Sequence, residues 1–313
     1  MALAAVFMLS CGAHNGNAVG RNVIIGTNDA AGWGPRAAAR IRAAHIVWDR
    51  VSLHAGPTFG MQVSTRDRFH VLAIVGNIED TSPLSSVEPS AWGAYVVHQL
   101  RANRGATLAE AGNEMYLKGG RPEPVRYGRM YMAALAAMRA AGIHIPLLFN
   151  MRGDYERPGT HAWSLDSTGG GWLGDALKAV PGLGPAILAN GISIHPYGSV
   201  GENSHDTYGV QSVPADERVA RRDLGAYPAV YITEFGFNLA ACGTPSGACS
   251  QDEQASKLRA AYASFLSDPH VAGIWWYQSH TDSTGDWGYL NTNNSPRPAY
   301  GALAQIAAQQ LGI

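Results

Sequence analysis

The stretch Val230–Asn238, VYITEFGFN, is a run of strand-forming residues that carries a carboxylate, Glu234, near its end. A charge at the end of a buried strand costs free energy unless another group pairs with it or a site uses it. Similar apolar, β-branched runs recur along the chain, and helical patterns separate them. The eight runs are Val23–Asn28, His45–Ser52, His70–Asn77, Thr107–Glu114, Ile143–Asn150, Gly191–Gly198, Ala229–Gly236 and Val271–Gln278.

This alternation decides the fold class. Continuous apolar strands separated by helices predict a parallel sheet that helices cover on its outer side. Eight such units predict closure into a single (β/α)8 TIM barrel. The chain has 313 residues, more than the about 250 typical of that fold. We therefore expect a leader over residues 1–20 and one catalytic barrel domain over residues 21–313.

Local signals predict several of the helices. Ser250–Glu253 has the capping-box pattern that begins a helix, and the segment ends at Asp268-Pro269. A core-facing stripe in the Pro124–Ala141 region is formed by Tyr127, Tyr131, Leu135 and Met138. A last helix around Ala299–Leu311 is expected to close the ring.

Composition and missing motifs exclude several classes of protein. Hydrophobic residues make up 46% of the chain, and the formal net charge of −1 offers no basic patch, so we expect no nucleic-acid partner. No segment reaches the ~20 apolar residues of a membrane span. GxGxxG, HExxH and GxSxG are absent, and the glycines of Ser167–Gly171 lack the ending of a phosphate loop. We expect neither a cofactor nor a bound metal.

The first residues and the cysteines bear on the compartment. Residues 1–20 resemble a truncated secretory signal, and Cys11 is either a lipoprotein cysteine or an ordinary cysteine of that leader. Cys242 and Cys249 lie in a Gly/Pro/Ser loop and either form a short disulfide ring or stay free thiols. The leader favours the disulfide and a secreted protein. The sequence leaves the oligomeric state open, and we expect a monomer.

Polar and aromatic residues gather at the C-terminal ends of the predicted strands, which meet at one face of a barrel and line one pocket. They are Arg50, Asn77, Asn113, Glu114, His195, Tyr197, Glu234, Trp275, Trp276 and Tyr277. Glu114 and Glu234 are expected to face each other across this pocket. Glu110, deeper in the same strand as Glu114, is interpreted as a structural partner.

Paired carboxylates suit glycoside hydrolysis, in which one protonates the leaving oxygen and the other attacks the anomeric carbon. Arg50 and Tyr197 would keep Glu234 ionised as the nucleophile, and partial desolvation would keep Glu114 protonated. Asn113 could donate to the sugar 2-hydroxyl. Successive strand residues point to opposite sides, so only one of Trp275 and Trp276 can face the pocket, and we choose Trp276 to stack on the sugar.

Three motifs carry a family resemblance: Asn113-Glu114, His195-Pro-Tyr197 and Thr233-Glu-Phe-Gly236 each end a strand. Together with the WWYQSHTD stretch that begins at Trp275 and the SPRPAY stretch that ends at Tyr300, they resemble the retaining glycoside hydrolases of clan A over roughly residues 22–311. The pattern is similar to the family 5 cellulase-like and family 39-like barrels.

The resemblance implies that Glu114 is the acid/base and Glu234 the nucleophile of a cofactor-independent enzyme. It also implies a sugar subsite formed by Asn113, Arg50, His195, Tyr197 and Trp276, and Asn77 ends the strand beside it. We expect an endo-acting β-glucanase or mannanase, with an exo-acting β-xylosidase or β-glucosidase as the near alternative. A non-catalytic carbohydrate-binding barrel is a further alternative, but such a protein would normally have lost one glutamate. A metal-dependent hydrolase would want His-x-His or a bridging lysine at the strand ends, which the sequence lacks.

Overall fold

The computed structural model of the protein describes residues 22–29, 33–77, 86–115, 123–151, 172–196, 207–240, 242, 247–283 and 285–313. The leader, Cys11 and Tyr197 lie outside the described residues. No helix in the described part is long and apolar enough to cross a membrane.

The strands form a closed parallel barrel in which each strand pairs with its chain neighbours and the last pairs with the first. They are β1 (Ile24–Asn28), β2 (Trp48–Ser52), β3 (His70–Val75), β4 (Ala106–Ala111), β5 (Leu147–Asn150), β6 (Ile192–Ile194), β7 (Val230–Phe235) and β8 (Val271–Trp276). The predicted single (β/α)8 barrel is confirmed, and each strand falls within one of the eight runs or overlaps it.

Helices follow the strands and cover the outside of the barrel. They are α1 (Pro35–Ala43), α2 (Phe59–Arg66), α3 (Pro89–Ala102), α4 (Pro124–Ala140), α5 (Trp172–Ala179), α6 (Leu183–Asn190), α7 (Thr207–Leu224), α8 (Gln251–Ser267) and α9 (Pro298–Leu311). The capping box is present at α8, where Ser250 Oγ accepts from the Glu253 N–H at 3.2 Å and Glu253 Oε2 accepts from the Ser250 N–H at 2.6 Å. The helix stripe of α4 faces the core as predicted, with Tyr127, Tyr131 and Met138 buried.

The barrel interior has its own small apolar layer, separate from the main core between strands and helices. Leu72, Leu108, Leu148 and Trp275 form it. Trp275 fits because Gly26 and Gly273 face its ring, and a Cβ at either position would clash with the indole. This layer closes the lower part of the barrel, so the polar side chains gather above it, at the C-terminal ends of the strands.

The loop between β7 and α8 contains the predicted disulfide. Cys242 and Cys249 are bonded, with their Cα atoms 5.2 Å apart, and both are buried. The Lys257 ammonium donates to the Cys242 carbonyl and so ties the ring to α8.

Candidate active site

The C-terminal end of the barrel holds a buried cluster of charged groups centred on Arg50 of β2. Its Nη1 donates to Glu234 Oε1 at 2.5 Å and to Asn28 Oδ1 at 2.9 Å, and its Nη2 donates to Asn113 Oδ1 at 2.8 Å. The guanidinium is 2% exposed. Burial would lower the pKa of Arg50, but Glu110 and then Glu234 raise it, so Arg50 is a permanent cation.

Glu110 of β4 is the second carboxylate that binds Arg50. It is fully buried, and its Oε2 accepts from Arg50 Nε at 2.8 Å and lies 2.7 Å from Arg50 Nη2. Burial alone would raise the pKa of Glu110, but Arg50 and then His195 lower it to about 2. It points into the barrel because it lies two residues after Leu108, on the same side of the strand.

His195 follows β6 and contacts all three carboxylates of the cluster. Its Nδ1 lies 3.5 Å from Glu114 Oε1 and 3.6 Å from Glu234 Oε2, and its Nε2 lies 3.4 Å from Glu110 Oε1. Burial would lower the pKa of His195, but Glu234, Glu110 and Glu114 together raise it to about 9. The imidazole is therefore a cation at neutral pH.

A bulge in β7 aims Glu234 at this cluster. Ile232 pairs with Ile274 and Phe235 pairs with Trp276, so β7 carries one residue more than β8 between these two pairs. Ile232 and Phe235 both pack in the outer core, and the two residues between them, Thr233 and Glu234, both face the cluster. Bulges commonly re-aim side chains in this way beside functional sites.

Glu114 stands on a strained turn at the end of β4. Its φ is +47°, in the left-handed region that residues other than glycine rarely adopt, and Gly112 before it has φ +80°. A Cβ at Gly112 would clash with the side chain of Met115. This sharp turn brings one carboxylate oxygen of Glu114 to within 4.8 Å of one of Glu234.

Asn77 and Asn113 hold the segment that carries Glu114. Asn77 Oδ1 accepts from the Asn113 N–H at 3.0 Å, and Asn113 Oδ1 accepts from Arg50. Both side chains are partly exposed at the end of the barrel. The structure therefore brings Arg50, Asn77, Asn113, Glu114, His195 and Glu234 together, as predicted from the strand ends.

The choice of Trp276 as the pocket aromatic is wrong. Trp276 is fully buried, packs edge-on against Phe235 and Phe237 in the outer core, and donates to the Trp287 carbonyl at 3.1 Å. Trp275 occupies the barrel interior, so neither tryptophan of the pair is open to a sugar. The next residue, Tyr277, is partly exposed at the end of β8, and its ring lies edge-on to Trp287 at 5.8 Å.

Three neutral residues complete the cluster, of which the sequence pointed only to Thr233, as part of a motif. Asn28 donates to the Thr233 and Trp276 carbonyls, and Thr233 Oγ1 donates to Glu110 Oε1 at 3.1 Å. Asn150 donates to Glu110 Oε1 at 2.9 Å and accepts from the Met115 N–H at 3.0 Å. Asn28 and Asn150 end β1 and β5, so the rule that strand ends line the site could have found both.

The donor set also allows a metal to be considered. Within the described residues, Glu114, His195 and Glu234 offer three donor atoms within 4.8 Å of one another, and so do Glu217, Asp268 and His270 at the other end of the barrel. In the first set, the Arg50 guanidinium already binds Glu234, and His195 is itself cationic. Two positive charges in contact with the donors disfavour a divalent cation there.

Comparisons with known proteins give a likeness of fold. No family model matches the chain, and no curated protein matches it significantly. Among solved structures, a family 39 glycoside hydrolase from the gut symbiont Bacteroides cellulosilyticus WH2 is similar at 16% identity and TM-score 0.63, over 92% of this chain and 64% of that one. This chain thus spans less than two thirds of that enzyme.

Two further structures match at similar levels. A family 5 subfamily 18 protein from Streptomyces cattleya, in complex with Manβ1-4GlcNAc, has 14% identity and TM-score 0.57 over 92% of this chain and 80% of its own. A family 128 endo-β-1,3-glucanase from Amycolatopsis mediterranei, in complex with laminarihexaose, has 15% identity and TM-score 0.56 over 90% and 99%. All three are TIM barrels of glycoside hydrolase clan A, so the predicted resemblance extends to the whole described barrel.

Proposed function

We propose that this protein is a retaining glycoside hydrolase that cleaves a β-linked polysaccharide or oligosaccharide with Glu234 as nucleophile and Glu114 as acid/base. One observation carries the proposal: carboxylate oxygens of Glu114 and Glu234 approach to within 4.8 Å at the C-terminal end of the barrel. Retaining enzymes hold their two carboxyl groups about 5–5.5 Å apart, and inverting enzymes about 6.5–9.5 Å. The fold supports the proposal because its solved neighbours are glycoside hydrolases.

In the first step, a Glu234 oxygen bonds to the anomeric carbon while Glu114 gives its proton to the departing glycosidic oxygen. In the second step, Glu114 takes a proton from water, the water oxygen bonds to the anomeric carbon, and the Glu234 carboxylate leaves. Glu234 attacks through its carboxylate, and Arg50 Nη1 lies 2.5 Å from its Oε1.

The charges of the cluster fit these roles. Arg50 and His195 supply two positive charges, and Glu110 and Glu234 supply two negative charges. With a protonated Glu114, these four charges sum to zero, whereas an ionised Glu114 would add a negative charge beside Glu234. Asp29, which follows β1, also interacts with Arg50 and Glu234, and burial raises its pKa. The resting enzyme is therefore expected to hold its proton on Glu114.

Other residues are assigned to the sugar. Asn113, partly exposed beside Glu114, is proposed to donate to the 2-hydroxyl through its amide nitrogen, since its oxygen accepts from Arg50. Tyr277, which is partly exposed, replaces Trp276 as the proposed stacking aromatic. Tyr197 stays a predicted subsite residue. For the substrate we propose an endo-β-glucan or mannan, with an exo-acting β-xylosidase or β-glucosidase as the second candidate.

The proposal is tested by activity on a panel of aryl β-glycosides and polysaccharides. Glu234→Gln should lower kcat at least 10³-fold, because a neutral amide cannot take the place of the attacking carboxylate. Glu114→Ala should slow substrates with poor leaving groups far more than activated aryl glycosides, since only the former need the proton. Asp67→Asn, at the opposite end of the barrel after α2, is the matched loss of a carboxylate charge and should leave the rate unchanged.

The stereochemistry of the first product separates the mechanisms. Proton NMR of an early digest should show the β-anomer of the released sugar before mutarotation. An initial α-anomer would contradict double displacement, and a Glu234→Gln variant of near wild-type rate would remove Glu234 as nucleophile. Binding of the polysaccharide without any hydrolysis would favour the carbohydrate-binding barrel instead.

We further propose that the protein is exported and works in an oxidising compartment. The buried Cys242–Cys249 bond supports this, because disulfides persist mainly outside reducing cytosol. A thiol titration of the denatured, unreduced protein from its native cells should find both cysteines blocked; free thiols at both would contradict export. Lipidation of Cys11 stays a prediction of the sequence.

A further inference from the structure

We propose that Glu110 is a positioning residue for the reaction: as the shared buried counterion of Arg50 and His195, it fixes the two cations that hold Glu234 and Glu114. The consequence for the rate rests on the proposed function. The consequence for His195 does not, because it can be measured in the folded protein without a substrate.

Glu110 has no access to a substrate. Its side chain is fully buried, and it lies four residues before Glu114, one step deeper in the barrel. Its two oxygens are used by the protein: Oε2 binds Arg50 through Nε and Nη2, and Oε1 accepts from Asn150 and Thr233 and lies beside His195. A residue so placed can act on the chemistry only through its neighbours.

Arg50 and His195 need Glu110 between them because they are two positive charges in contact. Arg50 Nη2 lies 3.4 Å from His195 Nε2, and both side chains are buried. Two cations at that distance in a desolvated site repel strongly unless an anion touches both. Glu110 touches both, at 2.7 Å from Arg50 and 3.4 Å from His195, and so makes their close placement tolerable.

The same two cations hold the proposed catalytic pair. Arg50 binds Glu234, and His195 Nδ1 lies within 3.6 Å of both Glu234 and Glu114. The charged groups around His195 include Arg50 from β2, Glu110 and Glu114 from β4 and its end, and Glu234 from β7. Thr233 adds a neutral contact at 3.0 Å. Loss of Glu110 leaves His195 facing Arg50 with one anion fewer.

The test compares Glu110→Gln, which keeps the shape and removes the charge, with Asp49→Asn as matched control. Asp49 is also buried, adjoins Arg50 in β2, and accepts from Ser64 Oγ at 2.6 Å, on the opposite side of the strand. NMR titration of labelled histidines, with the His195 signal assigned by His195→Asn, should show the His195 pKa falling by about one pH unit or more in Glu110→Gln only.

Kinetics provide the second readout. In Glu110→Gln, kcat is expected to fall about 10²-fold with KM changed less than threefold, because the groups that react are misplaced but the sugar contacts remain. In the pH profile of kcat, the basic limb of Glu110→Gln should lie at lower pH than the basic limb of the wild type. A His195 titration in folded Glu110→Gln that matches the wild type would overturn the proposal.

Glu110→Asp covers the case in which Glu110→Gln does not fold. It keeps the charge but shortens the side chain, so His195 should still titrate as in the wild type while kcat falls, because Arg50 must shift to follow the carboxylate. Wild-type kcat in Glu110→Asp would refute the positioning role. If the wild type hydrolyses no glycoside at all, the proposed function fails, and the histidine titration alone decides the role of Glu110.

Discussion

The raised pKa of His195 predicts a specific loss of stability at alkaline pH. The pKa is 6.5 in an unperturbed histidine and about 9 in the folded protein. A group whose folded pKa is raised stabilises the fold fully below its unfolded pKa, and this stabilisation is lost as pH rises through the folded value. At 1.36 kcal/mol for each pH unit, the loss between pH 6.5 and pH 9 amounts to about 3 kcal/mol.

The perturbation is His195→Asn, which removes the titrating ring and keeps a polar side chain. The free energy of unfolding is measured by urea denaturation, followed by tryptophan fluorescence, at pH values from 6 to 10. The wild type should lose about 3 kcal/mol more than the variant between pH 6.5 and 9, and the two curves should run parallel above that range. The difference between the curves removes the contribution of other titrating groups.

The control is His144→Asn, a substitution of an exposed histidine in the loop before β5, at the other end of the barrel. Its pH curve should overlay that of the wild type. If His195→Asn loses as much stability between pH 6.5 and 9 as the wild type does, the imidazolium does not carry the charge assigned to it. The argument that charge balance in the cluster keeps Glu114 protonated would then fail as well.

Three further predictions concern stability. Replacing Cys242 and Cys249 by serine opens a ring of sequence separation 7 and should lower the free energy of unfolding by about 2.5 kcal/mol; dithiothreitol should cause the same loss in the wild type and none in the variant. Gly236→Ala should cost about 1–3 kcal/mol in a urea titration, because its Cβ would clash with the Tyr277 carbonyl, and an unchanged midpoint would contradict the close approach. On the acid side, the stabilisation from the lowered pKa of Glu110 should disappear as pH falls from 4.5 to about 2, more steeply in the wild type than in Glu110→Gln.

The barrel could be predicted because each of its strands leaves a local signal. Runs such as VYITEF are apolar on both faces, as strands buried on both sides must be, and eight of them fit one closed sheet. The residues at the strand ends followed from that topology without any knowledge of contacts. Asn28 and Asn150, which end β1 and β5, could have been predicted by the same rule.

The remaining features depend on the way the strands fit together. The bulge that turns both Thr233 and Glu234 inward is a register shift between β7 and β8, and no local sequence pattern predicts such a shift. Alternation correctly required Trp275 and Trp276 to point to opposite sides. Alternation does not predict which of the two faces the barrel interior. Gly26 and Gly273 leave room there for Trp275, and Trp276 packs in the outer core.

The carboxylate of Glu234, near the end of VYITEF, is therefore both bound to Arg50 and partly exposed. Arg50 alone would explain its burial, but a purely structural ion pair gains little over apolar packing once both charges are desolvated. The distribution of exposure separates the two uses. Glu110 pairs with the same Arg50 and is 0% exposed, whereas the side chains of Glu234 and Glu114 keep 11% and 21% of their surface open. Glu114 and Glu234, the two partly exposed carboxylates, are also the two that lie within 4.8 Å of each other. The buried ion pair of Glu110 and Arg50 therefore serves to position them.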